Sequence, residues 1–129
     1  MARRRPRILV VDDDQPILLL MQNLLKEFEF EPMTANSGPA ALEVAREFPP
    51  DLILLDMNMP GISGRDLILE FRSAHRFRDI PILILSGDPL NGDQVREAGA
   101  SGAIQKPFDL GALVEQIRGF VSMDEQTQP

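Results

Sequence analysis

Four stretches of this 129-residue chain that read as otherwise apolar strands end in groups that could do polar chemistry: Asp12 and Asp13, Asp56, Ser86, and Lys106. The fullest case is residues 51–64, Asp-Leu-Ile-Leu-Leu-Asp-Met-Asn-Met-Pro-Gly-Ile-Ser-Gly. Leu52 to Leu55 read as a strand buried on both faces, and the run stops at the carboxylate of Asp56. Pro60, Gly61 and Gly64 then break the chain into a loop. Singly, each polar residue has a plain structural explanation as a turn acid, a cap, a loop hydroxyl or a solvated amine. Three acids, a hydroxyl and an amine at one sheet edge are a far less probable accident.

Close carboxylates repel, and each tends to take up a proton unless a cation lies among them. Oxygen ligands without histidine or cysteine suit Mg2+, which keeps several waters and shares its shell with phosphate. Asp12, Asp13 and Asp56 could hold such an ion, and Asn58 could add its backbone carbonyl. An ion and Lys106 beside an acid suit phosphoryl transfer, in which the protein mainly positions groups and neutralises charge. Ser86 would hydrogen-bond an equatorial oxygen, and a carboxylate can act as nucleophile to form an aspartyl phosphate.

The elements that must position these groups follow in order. Arg7 to Asp12 is a strand; Asp14 caps a helix with Pro16 in its first turn and Ile17, Leu20, Met21, Leu24, Leu25 and Phe28 on its apolar face. Glu31 to Ala35 is a weaker strand, and Ser37 opens a second helix facing inward through Ala41, Val44, Ala45 and Phe48 until Pro49-Pro50. Ser63 and Asp66 resemble a capping box for a third helix carrying Leu67, Ile68 and Phe71. A loop at 75–79 precedes the strand Pro81 to Ser86; Gly87-Asp88-Pro89 leads to a short, poorly patterned helix at about 90–98. Ala103 to Lys106 is the last strand, and Asp109 caps a last helix with Leu110, Leu113, Val114, Ile117 and Val121 inward. His75, among Arg72, Arg76 and Arg78, reads as a solvated helix-end residue. Strands alternating with helices imply an α/β fold on a parallel sheet, for which 2-1-3-4-5 is one of two common doubly wound orders. In that order the first and third strands are neighbours, so Asp12, Asp13 and Asp56 converge.

Taken together, Val-Val-Asp12-Asp13-Asp14, the Asp56-Met-Asn-Met-Pro-Gly-Ile-Ser-Gly stretch, Leu-Ser86-Gly and Lys106-Pro107-Phe108 resemble the receiver domain of two-component response regulators, of the chemotaxis-regulator kind. The resemblance spans residues 7–122, between a basic arm at 1–6 and a polar tail at 123–129. It implies a flavodoxin-like (βα)5 fold with sheet order 2-1-3-4-5, and Asp56 as phosphoacceptor. It further implies a magnesium site on Asp12 and Asp13, a switch hydroxyl at Ser86, a phosphoryl contact from Lys106, and a cis bond before Pro107. The implied donor is a sensor histidine kinase or histidine phosphotransfer protein in a phosphorelay, and the implied output a protein partner bound through residues 89–122. Catalysis beyond self-phosphorylation and autodephosphorylation is not implied. One departure stands out: where the family usually has a Tyr or Phe that changes rotamer, this chain has Ala103.

Composition narrows the alternatives. There is no cysteine, hence no disulfide or thiolate chemistry. No apolar run approaches a membrane span, and the four residues Ile8 to Val11 are too short for a signal-peptide core, so a cytoplasmic location is expected. The chain carries a formal −7; outside the four arginines of the first seven residues, nine basic and twenty acidic residues leave −11, which disfavours nucleic acid. The arm itself reads as a solvated tail. The rival reading is a haloacid-dehalogenase-type phosphatase using Asp12. Pro16 stands where that motif usually has Thr or Val, and no acidic pair follows Lys106.

Overall fold

The computed structural model describes residues 4–59, 61 and 63–126; Pro60, Ile62, the first three residues of the arm and the last three of the tail lie outside them. Five strands, β1 (Arg7–Val11), β2 (Glu31–Ala35), β3 (Leu52–Asp56), β4 (Ile82–Ser86) and β5 (Gly102–Gln105), form one parallel sheet in the order β2-β1-β3-β4-β5. The helices are α1 (Gln15–Glu27), α2 (Gly38–Glu47), α3 (Gly64–Ser73), α4 (Gly92–Ala98) and α5 (Leu110–Gln126), with a 3-10 turn at His75–Phe77 inside the expected loop. The last helix thus continues to Gln126, into the stretch read as a polar tail, and β5 begins and ends one residue earlier than expected.

Because strand side chains alternate, each central strand feeds two cores. Ile8 and Val10, Leu52 and Leu54, Leu83 and Leu85, and Ile104 pack under α1 and α5. Leu9 and Val11, Ile53 and Leu55, and Ile82 and Ile84 pack under α2, α3 and α4. This two-sided burial is why the strands read as unbroken apolar runs instead of alternating ones.

Helix starts follow their caps. The side chains of Asp14, Ser37 and Ser63 accept from the backbone N–H groups of Ile17, Ala40 and Asp66. At Ser63 only this half of the anticipated capping box is made among the described contacts. The complete box sits at the helix expected to be weakest: Asn91 accepts from Gln94 N–H while the Gln94 side chain accepts from Asn91 N–H. Gly99 then ends α4 at φ +85°, where a side chain would be strained.

Two helix faces differ from the expected ones. In α1, Leu18 is buried while Leu20 is 48% exposed, and Phe28 also faces outward. Phe48, expected inside, is half-exposed, and the Arg7 guanidinium lies 5.8 Å above its ring. Nor is the arm simply solvated. Arg4 pairs with Asp51 at 2.9 Å, and Asp51 also accepts the Arg7 backbone N–H at 2.8 Å, which ties the entry of β1 to that of β3.

Candidate functional site

The β1–β3 register pairs Val11 with Leu55, so the residues that follow, Asp12 and Asp56, emerge side by side at the carboxyl edge. Their direction follows from the same alternation that builds the cores. Asp12 continues the face of Ile8 and Val10, Asp56 that of Leu52 and Leu54, and Lys106 that of Ile104. All three therefore lean to the α1/α5 side and meet. Lys106 Nζ lies 3.3 Å from Asp56 Oδ1 and 3.7 Å from Asp12 Oδ2. Asp12 and Asp56 are 1% and 4% exposed, whereas Asp13 is open to solvent. One carboxylate oxygen from each of the three lies within 4.8 Å of the others.

Each loop after these strands folds back onto its own acid. Asp12 Oδ1 accepts the Asp14 N–H at 3.0 Å, and Asp56 Oδ1 accepts the Asn58 N–H at 3.2 Å. These two-residue side-chain-to-backbone turns were legible in principle, since an Asp side chain commonly accepts from the backbone N–H two residues on. Asp12 thus fills the turn-acid role that its sequence position allowed while also standing beside Asp56 and Lys106. Asp12 Oδ2 remains buried without a hydrogen-bond partner. Burial pushes the Asp12 carboxyl above the ordinary aspartate range; neighbouring Asp56 and Asp13 add to this, and the Asp14 N–H and Lys106 oppose it.

Ser86 stands at the same edge but with the opposite parity, that of Ile82 and Ile84, and so turns toward the α3/α4 side. Its hydroxyl is engaged within its own loop, donating to Asp88 O at 2.9 Å and accepting from Asp88 N–H at 3.1 Å. The backbone still links it to the basic group, because Lys106 N–H donates to Ser86 O at 2.7 Å. The Lys106–Pro107 peptide is cis. Ala103 pairs with Ile84, partly buried, and its methyl leaves a cavity of about 120 Å³ bordered by Ser86, Leu90 and Ile104. Asn58 contributes its N–H to Asp56, and His75 is exposed at the 3-10 turn, away from this edge.

The chain that places a buried acid between a lysine and two further carboxylates at the mouth of a 2-1-3-4-5 sheet matches the family model of the response regulator receiver domain over residues 8–118. The chain belongs to that family. The receiver is 38% identical over 118 residues to the transcriptional regulatory protein PrrA of Mycobacterium tuberculosis, covering 90% of this chain and 50% of that protein. It thus spans about half the length of the first curated relatives it matches. It superposes on the chemotaxis response regulator CheY4 of Vibrio cholerae with a TM-score of 0.84, at 27% identity, over 90% of this chain and 98% of the other. The receiver domain of the sensor histidine kinase PA1611 of Pseudomonas aeruginosa, described with a magnesium ion coordinated in its active-site cleft, gives 0.82 at 24% identity over 92% and 98% of the two chains. At that identity the last likeness speaks for the fold alone. The receiver is a module of two-component signalling, and the phosphatase reading finds no support.

Proposed function

We propose that this receiver, residues 7–122, takes a phosphoryl group onto Asp56 from a phosphohistidine of a sensor kinase or histidine phosphotransfer protein, and that the modification switches a protein partner bound through residues 89–122. The observation that carries the reading is the Asp56 carboxylate itself. It is buried at the end of β3, with Lys106 Nζ 3.3 Å away and two further acids beside it.

The contacts divide the two oxygens of Asp56 between tasks. Oδ1 accepts from Asn58 N–H and faces Lys106, which leaves Oδ2 as the attacking atom. Oδ2 bonds to phosphorus as the phosphorus–nitrogen bond of the donor breaks, the electron pair leaving on the imidazole. Lys106 faces the growing charge on the phosphoryl oxygens and swings from carboxylate to phosphate without leaving the edge. Ser86 reaches the phosphoryl group only by giving up its bond to Asp88 O, so occupation of the site loosens the loop at 87–90.

The donor set fits a hard divalent cation. Three carboxylate oxygens lie within 4.8 Å of one another, and the buried Asp12 Oδ2 lacks a hydrogen-bond partner. Mg2+ held by Asp12, Asp13, Asp56 and the Asn58 carbonyl would neutralise carboxylate and phosphoryl charge during transfer. Among the described residues no helix is long and apolar enough to cross a membrane, which agrees with a cytoplasmic location.

The test is intact-mass measurement with acetyl phosphate and magnesium. The wild-type chain gains one phosphoryl group, Asp56→Asn gains none, and excess chelator prevents the gain. Labelling that persists in Asp56→Asn moves the nucleophile elsewhere, and undiminished labelling in chelator removes the cation from the reaction.

A further inference from the structure

The chain holds four asparagines, and at Asn91 alone the next residue is glycine. Asn23 precedes Leu24, Asn36 precedes Ser37 and Asn58 precedes Met59. Asn91 is the N-cap of α4, and residues 91–94 are all exposed. Its side-chain oxygen accepts from Gln94 N–H at 2.8 Å, and Gln94 Oε1 accepts from Asn91 N–H at 2.9 Å. Gly92 does not serve an unusual backbone conformation. Its φ is not left-handed, and a Cβ built on it would touch only the Arg96 guanidinium, at an ordinary 3.5 Å. What the glycine does supply is a backbone nitrogen that no side chain screens.

We infer that Asn91 is a site of spontaneous deamidation, and that the capping box of α4 sets how fast it proceeds. The Gly92 backbone nitrogen, losing its proton to solvent base, bonds to Asn91 Cγ. The bond from Cγ to the carboxamide nitrogen breaks, and that nitrogen takes up a proton and leaves as ammonia. Water then opens the five-membered imide at one of its two carbonyl carbons, giving aspartate or a β-linked aspartate. In sum, water is consumed and ammonia released. The ring closes only when Asn91 swings its carboxamide over the Gly92 nitrogen, and the bond to Gln94 N–H holds it elsewhere. Asn91 therefore reacts from the frayed state of α4, a helix of seven residues whose buried side chains are Val95 and Ala98. The two products leave different structures behind. Aspartate keeps an acceptor for Gln94 N–H and adds negative charge where a helix favours it. The β-linkage routes the backbone through Cβ of residue 91, one atom longer, and so breaks both halves of the box. The start of α4 then unravels, and because α4 lies within residues 89–122, that form presents an altered surface there. The inference holds whether or not Asp56 accepts phosphate.

The experiment incubates the whole chain in mildly alkaline buffer, folded and in urea, and follows the product by peptide mass and by isoaspartyl methyltransferase labelling. In the folded wild type, the mass gain of amide becoming acid accumulates first in the peptide holding Asn91, part of it as β-linked aspartate. Gly92→Ala, which the open space around Gly92 admits and a helix favours, abolishes that gain over the same period. Gln94→Ala removes half of the box and speeds the gain by about fivefold in the folded chain, and not at all in urea. No gain at Asn91, an earlier gain at Asn23, Asn36 or Asn58, or an undiminished one in Gly92→Ala overturns the site. A rate in the folded chain that Gln94→Ala leaves unchanged overturns its control by the capping box.

Discussion

Replacing Asp12 with asparagine should make this receiver more stable in the absence of divalent cations and remove its stabilisation by them. Asp12 is 1% exposed, and its Oδ2 has no hydrogen-bond partner. At an effective dielectric constant of about 20, an oxygen of Asp56 no more than 4.8 Å away repels by roughly 3.5 kcal/mol or more, and Lys106 at 3.7 Å attracts by roughly 4.5 kcal/mol. Those terms nearly cancel once the exposed Asp13 is added at its screened value. What remains is the cost of burying a charged oxygen that accepts no hydrogen bond, about 1–3 kcal/mol. Asparagine keeps the Oδ1 acceptor for Asp14 N–H and leaves Lys106 its contact to Asp56. A net gain of about 1–2 kcal/mol at neutral pH follows, or a rise of roughly 0.5–1 M in urea midpoint.

The pH dependence has a definite sign. The folded-state pKa of Asp12 lies above its ordinary 3.8, so the native state holds the proton longer than the unfolded chain. Stability contributed by the neutral carboxyl is therefore present at low pH. It is lost as pH rises from the unfolded value through the folded one, and the advantage of Asp12→Asn opens over that window. Magnesium should close the gap, because a ligand at ten times its dissociation constant stabilises the wild type by about 1.4 kcal/mol, and a variant lacking one carboxylate by less. Urea titrations in chelator and in magnesium decide the matter. An Asp12→Asn chain that is less stable in chelator, or equally stabilised by magnesium, would refute the reasoning.

Two further outcomes are expected. Arg72 donates from one guanidinium to the carbonyls of Gly99, Phe77, Arg78 and Ile80, which binds α3 to the approach to β4 and to the end of α4; Arg72→Met should lose about 2–4 kcal/mol by urea denaturation and Arg72→Lys recover less than half, since an ammonium cannot span that fork. Phosphorylation with acetyl phosphate should change amide exchange most in residues 86–99, because Ser86 must release Asp88 O, and Ser86→Ala should abolish that response while still accepting phosphate; changes confined to the neighbourhood of Asp56 would exclude this loop as the moving part.

Much of the design is local and could be read directly. Strands buried on both faces must be apolar throughout, so Leu52–Leu55 and Ile82–Leu85 stand out, and so do the polar residues that end them. The caps at Asp14, Ser37 and Ser63 need only a side chain and an amide three residues away. The complete capping box of Asn91 with Gln94 was equally local and was overlooked because α4 has little apolar pattern. Leu18 and Leu20 flank the apolar stripe of α1 on opposite sides, so helical periodicity could not choose between them until the sheet lay against α1.

The sequence by itself determined that acids, a hydroxyl and an amine end apolar strands, because composition and spacing record what each strand must bury. Tertiary structure alone decided which of them meet. Strand order and register put Asp12 next to Asp56, and side-chain parity sent Lys106 toward them and Ser86 away. The Arg72 fork and the Arg4–Asp51 tie belong to the same class, being contacts between segments distant in the chain. A strand's own residues set which two faces it presents; only its neighbours settle what each face touches.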